Sequence, residues 1–473
     1  MNSVANYILS HFPHQPTQGQ LAACEAMVEF LYDPDPMAAF VLRGYAGTGK
    51  TTLVSALIQS ASALHIKTLL LAPTGRAAKV LAGYSGKPAF TIHKKIYQTF
   101  TGPDGMIHMA RALNKHTYTL FIVDEASMIG LADEGGGGHR NLLEDLIGYV
   151  TEGSHCRLML IGDDAQLPPV GSTESPALDL ECLRAFTPLK IHHYCLTEVV
   201  RQQHLSGILL NATMLRHNLM QLSEGDFPAL PLFDLNGCPD ILRLPGADLE
   251  ETLNHEYGSN SIEEVVIITR SNKRATRFNM GVRNSILYRE DLLVNDDMLL
   301  VAKNNYYWAR DYDEMDFIAN GDVCRVKRVW GDIERRYGLR FANVTVEFPD
   351  HDGVEMDCKI VVDCLLSDTP ALDREQSERL FNEVYAELTG DKRERYKQLK
   401  EHPYFNALQV KYAYAVTCHK AQGGQWRNVF IDMGGIMPDA MQSMDFYRWL
   451  YTAITRARQR VYLINWNNDE QST

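Results

Sequence analysis

The stretch Gly44-Tyr45-Ala46-Gly47-Thr48-Gly49-Lys50-Thr51 constrains this chain more than any other. It matches G-x-x-x-x-G-K-[ST], the pattern of a phosphate-binding loop. An apolar run over residues 38–42 leads in, and a helical pattern over residues 50–64 leads out. That is the strand–loop–helix setting the motif requires. Glycines let backbone N–H groups turn inward around phosphate oxygens. The following helix points its positive end at the same anion. Residues 44–52, Thr52 included, are the expected ATP contacts. Lys50 reaches the β- and γ-phosphates, and Thr51 can hold Mg²⁺. The loop implies a bound nucleoside triphosphate without saying what it is used for.

Two further strand ends carry chemistry. Val123-Asp124-Glu125 closes an apolar run at residues 119–123. Asp124 can hold the metal from the side opposite Thr51, and Glu125 can deprotonate an attacking water. Asp163-Asp164-Ala165-Gln166 follows the run at residues 158–161. The Gln166 amide both donates and accepts, so it suits sensing of a γ-phosphate.

The 473 residues exceed one core, so two to four domains are expected. Strand runs at residues 38–42, 68–71, 119–123 and 158–161 alternate with helical segments, as in a parallel sheet covered on both faces. The alternation resumes with strands at 265–269, 411–416, 429–432 and 460–464 and helices at 273–287 and 444–457. Between these regions, residues 318–366 are rich in Val, Ile, Phe and Tyr, which predicts a small antiparallel barrel. A charged helix over 373–400 follows, with Leu380, Phe381, Val384, Tyr385 and Leu388 as its apolar stripe. A short hairpin is expected around residues 98–107, and the glycines Gly135 to Gly138 read as a loop.

Composition adds limits. Nine cysteines without a C-x-x-C pair suit reduced thiols and argue against structural zinc. With no run of eighteen apolar residues and no signal-peptide pattern at the start, the expectation is a cytoplasmic protein with no membrane partner. The net charge of −13 argues weakly against nucleic acid, but binding follows the local field. Locally, Arg270, Lys273, Arg274, Arg277 and Arg283 occur with no acid before Glu290. They read either as phosphate contacts or as a solvated basic face.

Together these segments resemble superfamily 1 helicases. Ala72 to Lys79, with Pro73 and Thr74, resembles motif Ia, and Thr91-Ile92-His93 resembles motif Ib. Leu196 to Gln202 resembles the segment carrying an arginine finger, here Arg201. Val416 to Gly423, containing Thr417, His419 and Lys420, resembles motif V, and Tyr451 to Arg458 resembles motif VI. Thr17 to Gln20 is similar to the adenine-reading Q motif, with Gln20 as its reader. The branch implied is RecD/Dda, subclass B, whose members move 5′ to 3′ on single-stranded DNA. One departure is Gly424-Gln425-Trp426, because relatives often carry a carboxylate near Gln425.

The resemblance implies an α/β chain of two RecA-like parallel-sheet P-loop domains with an inserted SH3-like β-barrel plus helical segment. The first domain is expected over residues 1–200, with the hairpin insertion near 84–117. The second takes 201–300 and 407–473, and the insertion takes 301–406. An arginine from a second domain can neutralise charge on a γ-phosphate; Arg201 and Arg456 are the candidates, while Arg458 reads as a surface ion pair. The resemblance lines a single-strand groove with Pro73, Thr74, Thr91, His93, Thr417, His419 and Lys420. Arg270 and Lys273 join them as phosphate contacts. Phe100 in the hairpin either stacks on a base, wedging a fork, or packs internally. The implied partners are single-stranded DNA and its junctions with duplex, with replication or repair proteins beside them. An RNA translocase and an ATP-gated clamp that does not unwind fit the same residues.

Overall fold

The structure is a computed structural model that describes residues 3–466 apart from 102–106, 132–140, 187–188, 201–205, 222–230, 232, 313–314 and 316. Helices α1 (Ser3–Leu9) and α2 (Gln18–Leu31) precede the first strand, β1 (Ala38–Gly44). Then come α3 (Lys50–Ala61), β2 (Lys67–Ala72), α4 (Gly75–Ser85), β3 (Ala89–Thr91) and α5 (Ile92–Ile96). A hairpin of β4 (Tyr97–Thr101) and β5 (Ile107–Arg111) stands apart from the sheet. The domain closes with β6 (Thr119–Val123), α6 (Leu142–Glu152), β7 (Arg157–Gly162), α7 (Leu180–Phe186) and β8 (Lys190–Leu196). Six strands pair in parallel in the order β3-β2-β6-β7-β1-β8.

Both faces of this sheet are covered, which is why its strands read as continuous apolar runs. Val41, Leu71, Val123 and Leu160 fill one core, while Phe40, Leu42, Leu70, Ile122 and Ile161 fill the other. The two-residue period of a strand sorts the neighbours onto opposite faces. The order sets β6, β7 and β1 side by side, so their C-terminal ends, carrying Asp124, Asp163 and the phosphate loop, converge.

The second sheet is split by the barrel. Before it come α8 (Gly207–Gln221), β9 (Ile241–Leu244), α9 (Leu249–Ser259), β10 (Val265–Thr269) and α10 (Asn272–Gly281). The barrel region holds β11 (Met298–Val301), β12 (Val323–Arg336), β13 (Leu339–Phe348), β14 (Val354–Val361), α11 (Asp363–Leu366), α12 (Arg374–Glu387), α13 (Lys392–Lys400) and β15 (Leu408–Tyr412). After it come β16 (Ala415–Thr417), α14 (Cys418–Ala421), β17 (Trp426–Asp432), α15 (Pro438–Met441), α16 (Met444–Ile454) and β18 (Ala457–Ile464). The parallel order is β16-β10-β17-β18-β9, and β11 to β15 form a closed barrel.

Several expectations change. The strand expected over 411–416 is two strands that serve different sheets: β15 closes the barrel and β16 edges the second sheet. The barrel therefore reaches outside residues 301–406, because β11 and β15 pair to seal it. The charged helix expected over 373–400 is α12 and α13. Gly390 breaks it at φ 112°, a backbone conformation glycine adopts freely. The stripe holds: Leu380 and Val384 are buried against Tyr337, Phe341 and Val361 of the barrel end. Residues 84–96, expected within the hairpin insertion, hold the end of α4, β3 and α5, and the hairpin strands begin at Tyr97. The hairpin's turn and Gly135 to Gly138 lie outside the described residues.

The expected basic face is partly structural. Arg283 is fully buried and grips Asp297 through two bonds of 3.0 Å. Asp297 also accepts from Arg289 (2.9 Å), the Tyr414 hydroxyl (2.9 Å) and the Val294 N–H (2.9 Å). This network roots the barrel in the second domain, since Asp297 precedes β11 and Tyr414 lies between β15 and β16. Arg274 pairs with the buried Asp432, its Nη2 at 2.7 Å from Oδ1. Arg270 and Lys273 remain exposed. Removing one partner of a buried pair leaves an uncompensated charge, so Asp297→Ala should cost about 3–5 kcal/mol in urea denaturation. A loss below about 1 kcal/mol, the scale of an exposed pair, would contradict this reading.

Candidate active site

The phosphate loop runs from Gly44 to the start of α3. A Cβ at Gly44 would stand 2.9 Å from Leu196 Cβ and Lys50 Cγ, so only glycine fits there. Gly49 has φ 81°, and a Cβ there would meet the Gln20 amide at 2.2 Å. Lys50 folds back on its own loop, donating to the carbonyls of Gly44 and Tyr45, the latter at 3.0 Å. Its Nζ is 3.9 Å from Asp163 Oδ2. Thr51 is exposed at the first turn of α3, beside Thr52.

Gln20 braces this loop from behind. Its Nε2 donates to the Thr48 carbonyl (3.0 Å) and its Oε1 accepts from Thr17 N–H (3.0 Å). The segment after β8 crosses over the loop, with Val200 N–H donating to the Gly47 carbonyl (3.0 Å). Arg201 itself lies outside the described residues.

Asp124 is held by two donors: Tyr84 O–H at 2.7 Å on Oδ2 and Glu125 N–H at 2.9 Å on Oδ1. Glu125 has φ 53°, a strained conformation for a non-glycine residue, of the kind that gathers at functional sites. Its side chain is 24% exposed and stands 3.8 Å from Arg456 Nη1. Burial raises its pKa above the ordinary carboxylate value; Arg456 opposes that shift and Asp124 adds to it. A carboxylate raised this way accepts a proton more readily, as a base requires. The Gln166 side-chain oxygen is buried with no hydrogen-bond partner among the described residues. A buried acceptor left unpaired is costly, so it marks a place for a donor from outside the chain. Hydroxyl and carboxylate oxygens at Thr51 and Asp124 fit a hard divalent cation, and the orphaned Gln166 oxygen fits a water beside the γ-phosphate.

The second domain enters through α16 and the turn after it. Tyr451 O–H donates to Asp163 Oδ2 (2.7 Å), while its oxygen accepts from Ala46 N–H in the phosphate loop (2.8 Å). Leu167 N–H donates to Thr452 Oγ1 (2.8 Å), and Gln422 Nε2 donates to the Leu167 carbonyl (2.6 Å). Arg456 is 4% exposed and is steadied by the Thr452 carbonyl at 3.1 Å. Arg458 pairs with Glu264 at the surface (3.2 Å), as expected for an ion pair. In the departure after motif V, the buried Trp426 stacks under Arg76 of α4 at 4.1 Å, a further contact across the cleft.

The strand-binding candidates lie along a second line. Thr74 caps α4 through Ala77 N–H, and Thr91 caps α5 through Lys94 N–H (both 3.2 Å). The Thr417 hydroxyl makes no such cap on α14. Gly423 sits against Thr74 and Ala77, joining motifs Ia and V. The barrel leans on the same line. Lys79 donates to the Pro349 carbonyl (2.8 Å), and Lys420 donates to Asn320 (2.5 Å). His93 packs against Phe317 at 5.6 Å, and His419 is exposed. Pro73 precedes the cap, and Arg270 lies over the Phe446 ring at 5.3 Å. Phe100 pairs through its backbone with His108 in the hairpin, and its side chain lies outside the described residues.

Sequence reading missed Asp163, Tyr451 and Tyr84. Asp163 stands at a strand end as Asp124 does, and Tyr451 lies five residues before Arg456; both signals were available. Tyr84 carries no motif. Among the described residues there is no metal-ligating cluster and no helix long and apolar enough to cross a membrane.

Two parallel-sheet domains meeting over a phosphate loop, with an arginine of one beside a carboxylate of the other, define a two-domain P-loop protein. The AAA domain matches residues 15–237, and the UvrD-like helicase C-terminal domain matches 412–464. The chain is 28% identical to the ATP-dependent RecD2 DNA helicase of Deinococcus radiodurans over 431 residues, covering 89% of this chain and 46% of that protein. It is 32% identical to the ATP-dependent DNA helicase dda of Enterobacteria phage T4 over 164 residues, 34% of each. The RecBCD enzyme subunit RecD of Buchnera aphidicola is 22% identical over 464 residues, 90% of this chain and 70% of that one. A Pif1 helicase from Bacteroides bound to ADP-AlF3 and ssDNA aligns over 96% of this chain and 93% of its own, with TM-score 0.49 and 16% identity, too distant to bear on individual residues. With these two matched domains, the chain is similar to the superfamily 1 subclass B helicases of the RecD/Dda type, and it spans about half the length of the RecD2 relative.

The geometry separates two variants. Lys50→Ala should abolish steady-state ATP hydrolysis. Glu125→Gln should still bind a fluorescent ATP analogue, yet hydrolyse ATP about 10²–10⁴-fold more slowly, because only the base is lost. Free turnover by Glu125→Gln would assign the base elsewhere.

Proposed function

We propose that this chain is an ATP-driven motor that moves 5′ to 3′ along single-stranded DNA and unwinds duplex at single/double-strand junctions. The observation that carries the reading is the Tyr451 hydroxyl, shared between Ala46 N–H of the phosphate loop and Asp163. It lets the approach of the second domain depend on the state of the loop. The RecD2 and dda relatives, both named as DNA helicases, support DNA as the track.

In this mechanism Lys50 leaves the Gly44 and Tyr45 carbonyls for phosphate oxygens. Glu125 takes the proton of the attacking water, and the Gln166 oxygen orients that water. Arg456, with Arg201, neutralises the charge that develops on the γ-phosphate. Mg²⁺, held by Thr51 and Asp124, supplies electrostatic stabilisation of the phosphates when bound. Once the γ-phosphate departs, the arginines lose their anion and the cleft relaxes. Pro73, Thr74, Thr91, His93, Thr417, His419 and Lys420 grip the strand backbone, with Arg270 and Lys273 as outlying phosphate contacts. Contacts of this kind hold a strand without reading its sequence. Phe100 is the candidate wedge at the fork. A cytoplasmic setting among replication or repair proteins belongs to the same proposal.

Duplexes carrying a 5′ or a 3′ single-stranded DNA tail test it. Unwinding should require ATP and the 5′ tail. Unwinding only from 3′ tails would reverse the direction. Stimulation of hydrolysis by RNA but not DNA would change the track, and stimulation without strand separation would make the chain a clamp.

A further inference from the structure

The helix α4 connects the two lines of the site. Its first turn lies at Thr74 and Gly423 on the proposed strand-binding line, and Lys79 ties it to the barrel. Ten residues after Thr74, about 15 Å along the axis at 1.5 Å per residue, Tyr84 reaches the nucleotide site. Its O–H donates to Asp124 Oδ2 at 2.7 Å. Its carbonyl accepts from Ser55 Oγ at 3.0 Å, one turn along α3 from Thr51. One residue thus joins the helix of motif Ia, the helix bearing Thr51 and the carboxylate that would hold the metal.

The other Asp124 oxygen is held by the adjacent N–H of Glu125, a purely local contact. Tyr84 is therefore the distant donor that sets how the carboxylate is turned. Hydrogen bonds to charged groups are stronger than neutral ones, so this contact has leverage on the carboxylate.

We infer that Tyr84 is a positioning residue that orients Asp124 and conveys the seating of α4 on the strand and barrel to the metal–nucleotide site. The part concerning the strand rests on the motor reading above.

The test compares Tyr84→Phe and Ser55→Ala with the natural protein. Tyr84→Phe removes only the hydroxyl, while Ser55→Ala cuts the tie to α3 and keeps the bond to Asp124. For each, Mg²⁺ is titrated against binding of a fluorescent ATP analogue, and single-stranded DNA binding is measured without nucleotide. The factor by which DNA stimulates hydrolysis is measured alongside. Tyr84→Phe should melt like the natural protein and bind DNA equally well. It should need about tenfold more Mg²⁺ for half-saturation, the loss expected for a bond to a charged group, and lose a similar part of its DNA stimulation. Ser55→Ala should keep the natural Mg²⁺ dependence. An unchanged Mg²⁺ midpoint in Tyr84→Phe, or an equal shift in Ser55→Ala, overturns the inference. Absence of DNA stimulation in the natural protein would instead sink the motor reading, and the Mg²⁺ comparison would still decide the role of Tyr84 at Asp124.

Discussion

One hydroxyl holds the architecture of the site together. Tyr451, on a helix of the second domain, accepts from an amide of the phosphate loop and donates to Asp163 at the end of β7. It is fully buried, so neither bond competes with water. Around it, Thr452 and Gln422 clasp Leu167, and Arg456 approaches Glu125. These contacts cross one cleft and share one condition: the second domain must be seated. In the proposed mechanism, a phosphate that reorganises Lys50 and its loop also reorganises the surface on which Tyr451 sits. That is how a small anion can govern the position of a whole domain.

The barrel extends the same logic to the proposed strand-binding line. It is rooted by the network around Asp297, where five donors satisfy one buried carboxylate. A network so fully satisfied is rigid. The barrel therefore carries Asn320 and Pro349 to fixed places beside Lys420 and Lys79, on the line of Thr74 and Gly423. Helix α4 then links that line to Asp124 through Tyr84, while Arg76 of its first turn stacks on Trp426 across the cleft. The proposed nucleotide site and the proposed strand-binding line share one helix.

What was legible in the sequence follows from how local each signal is. The phosphate loop, Asp124, Glu125 and Gln166 follow strand ends, and a buried parallel strand announces itself as an apolar run. Residues 411–416 misled because one apolar run serves two sheets, and the turn between them rests on Tyr414 bonding to Asp297 more than a hundred residues earlier. Arg274 and Arg283 read as phosphate contacts or a solvated basic face, not as structural pairs, because their carboxylates, Asp432 and Asp297, are distant in sequence or follow a turn. Tyr84 could not be found at all, since a tyrosine near the end of a helix reads as packing until its hydroxyl is seen at Asp124. The strand β9 joins the second sheet only through Val461 to Ile464, with no local mark to give it away.

If the γ-phosphate controls seating of the second domain on the phosphate loop, the separation of the two domains should follow the bound nucleotide. Pulsed electron-spin distances between labels at exposed Gln59 on α3 and exposed Gln459 on β18 address it directly. With nine native thiols, the labels are best introduced through unnatural amino acids. One short, narrow distance is expected with a non-hydrolysable ATP analogue and Mg²⁺, and a longer, broader distribution with ADP. Identical distributions with the two nucleotides would contradict it.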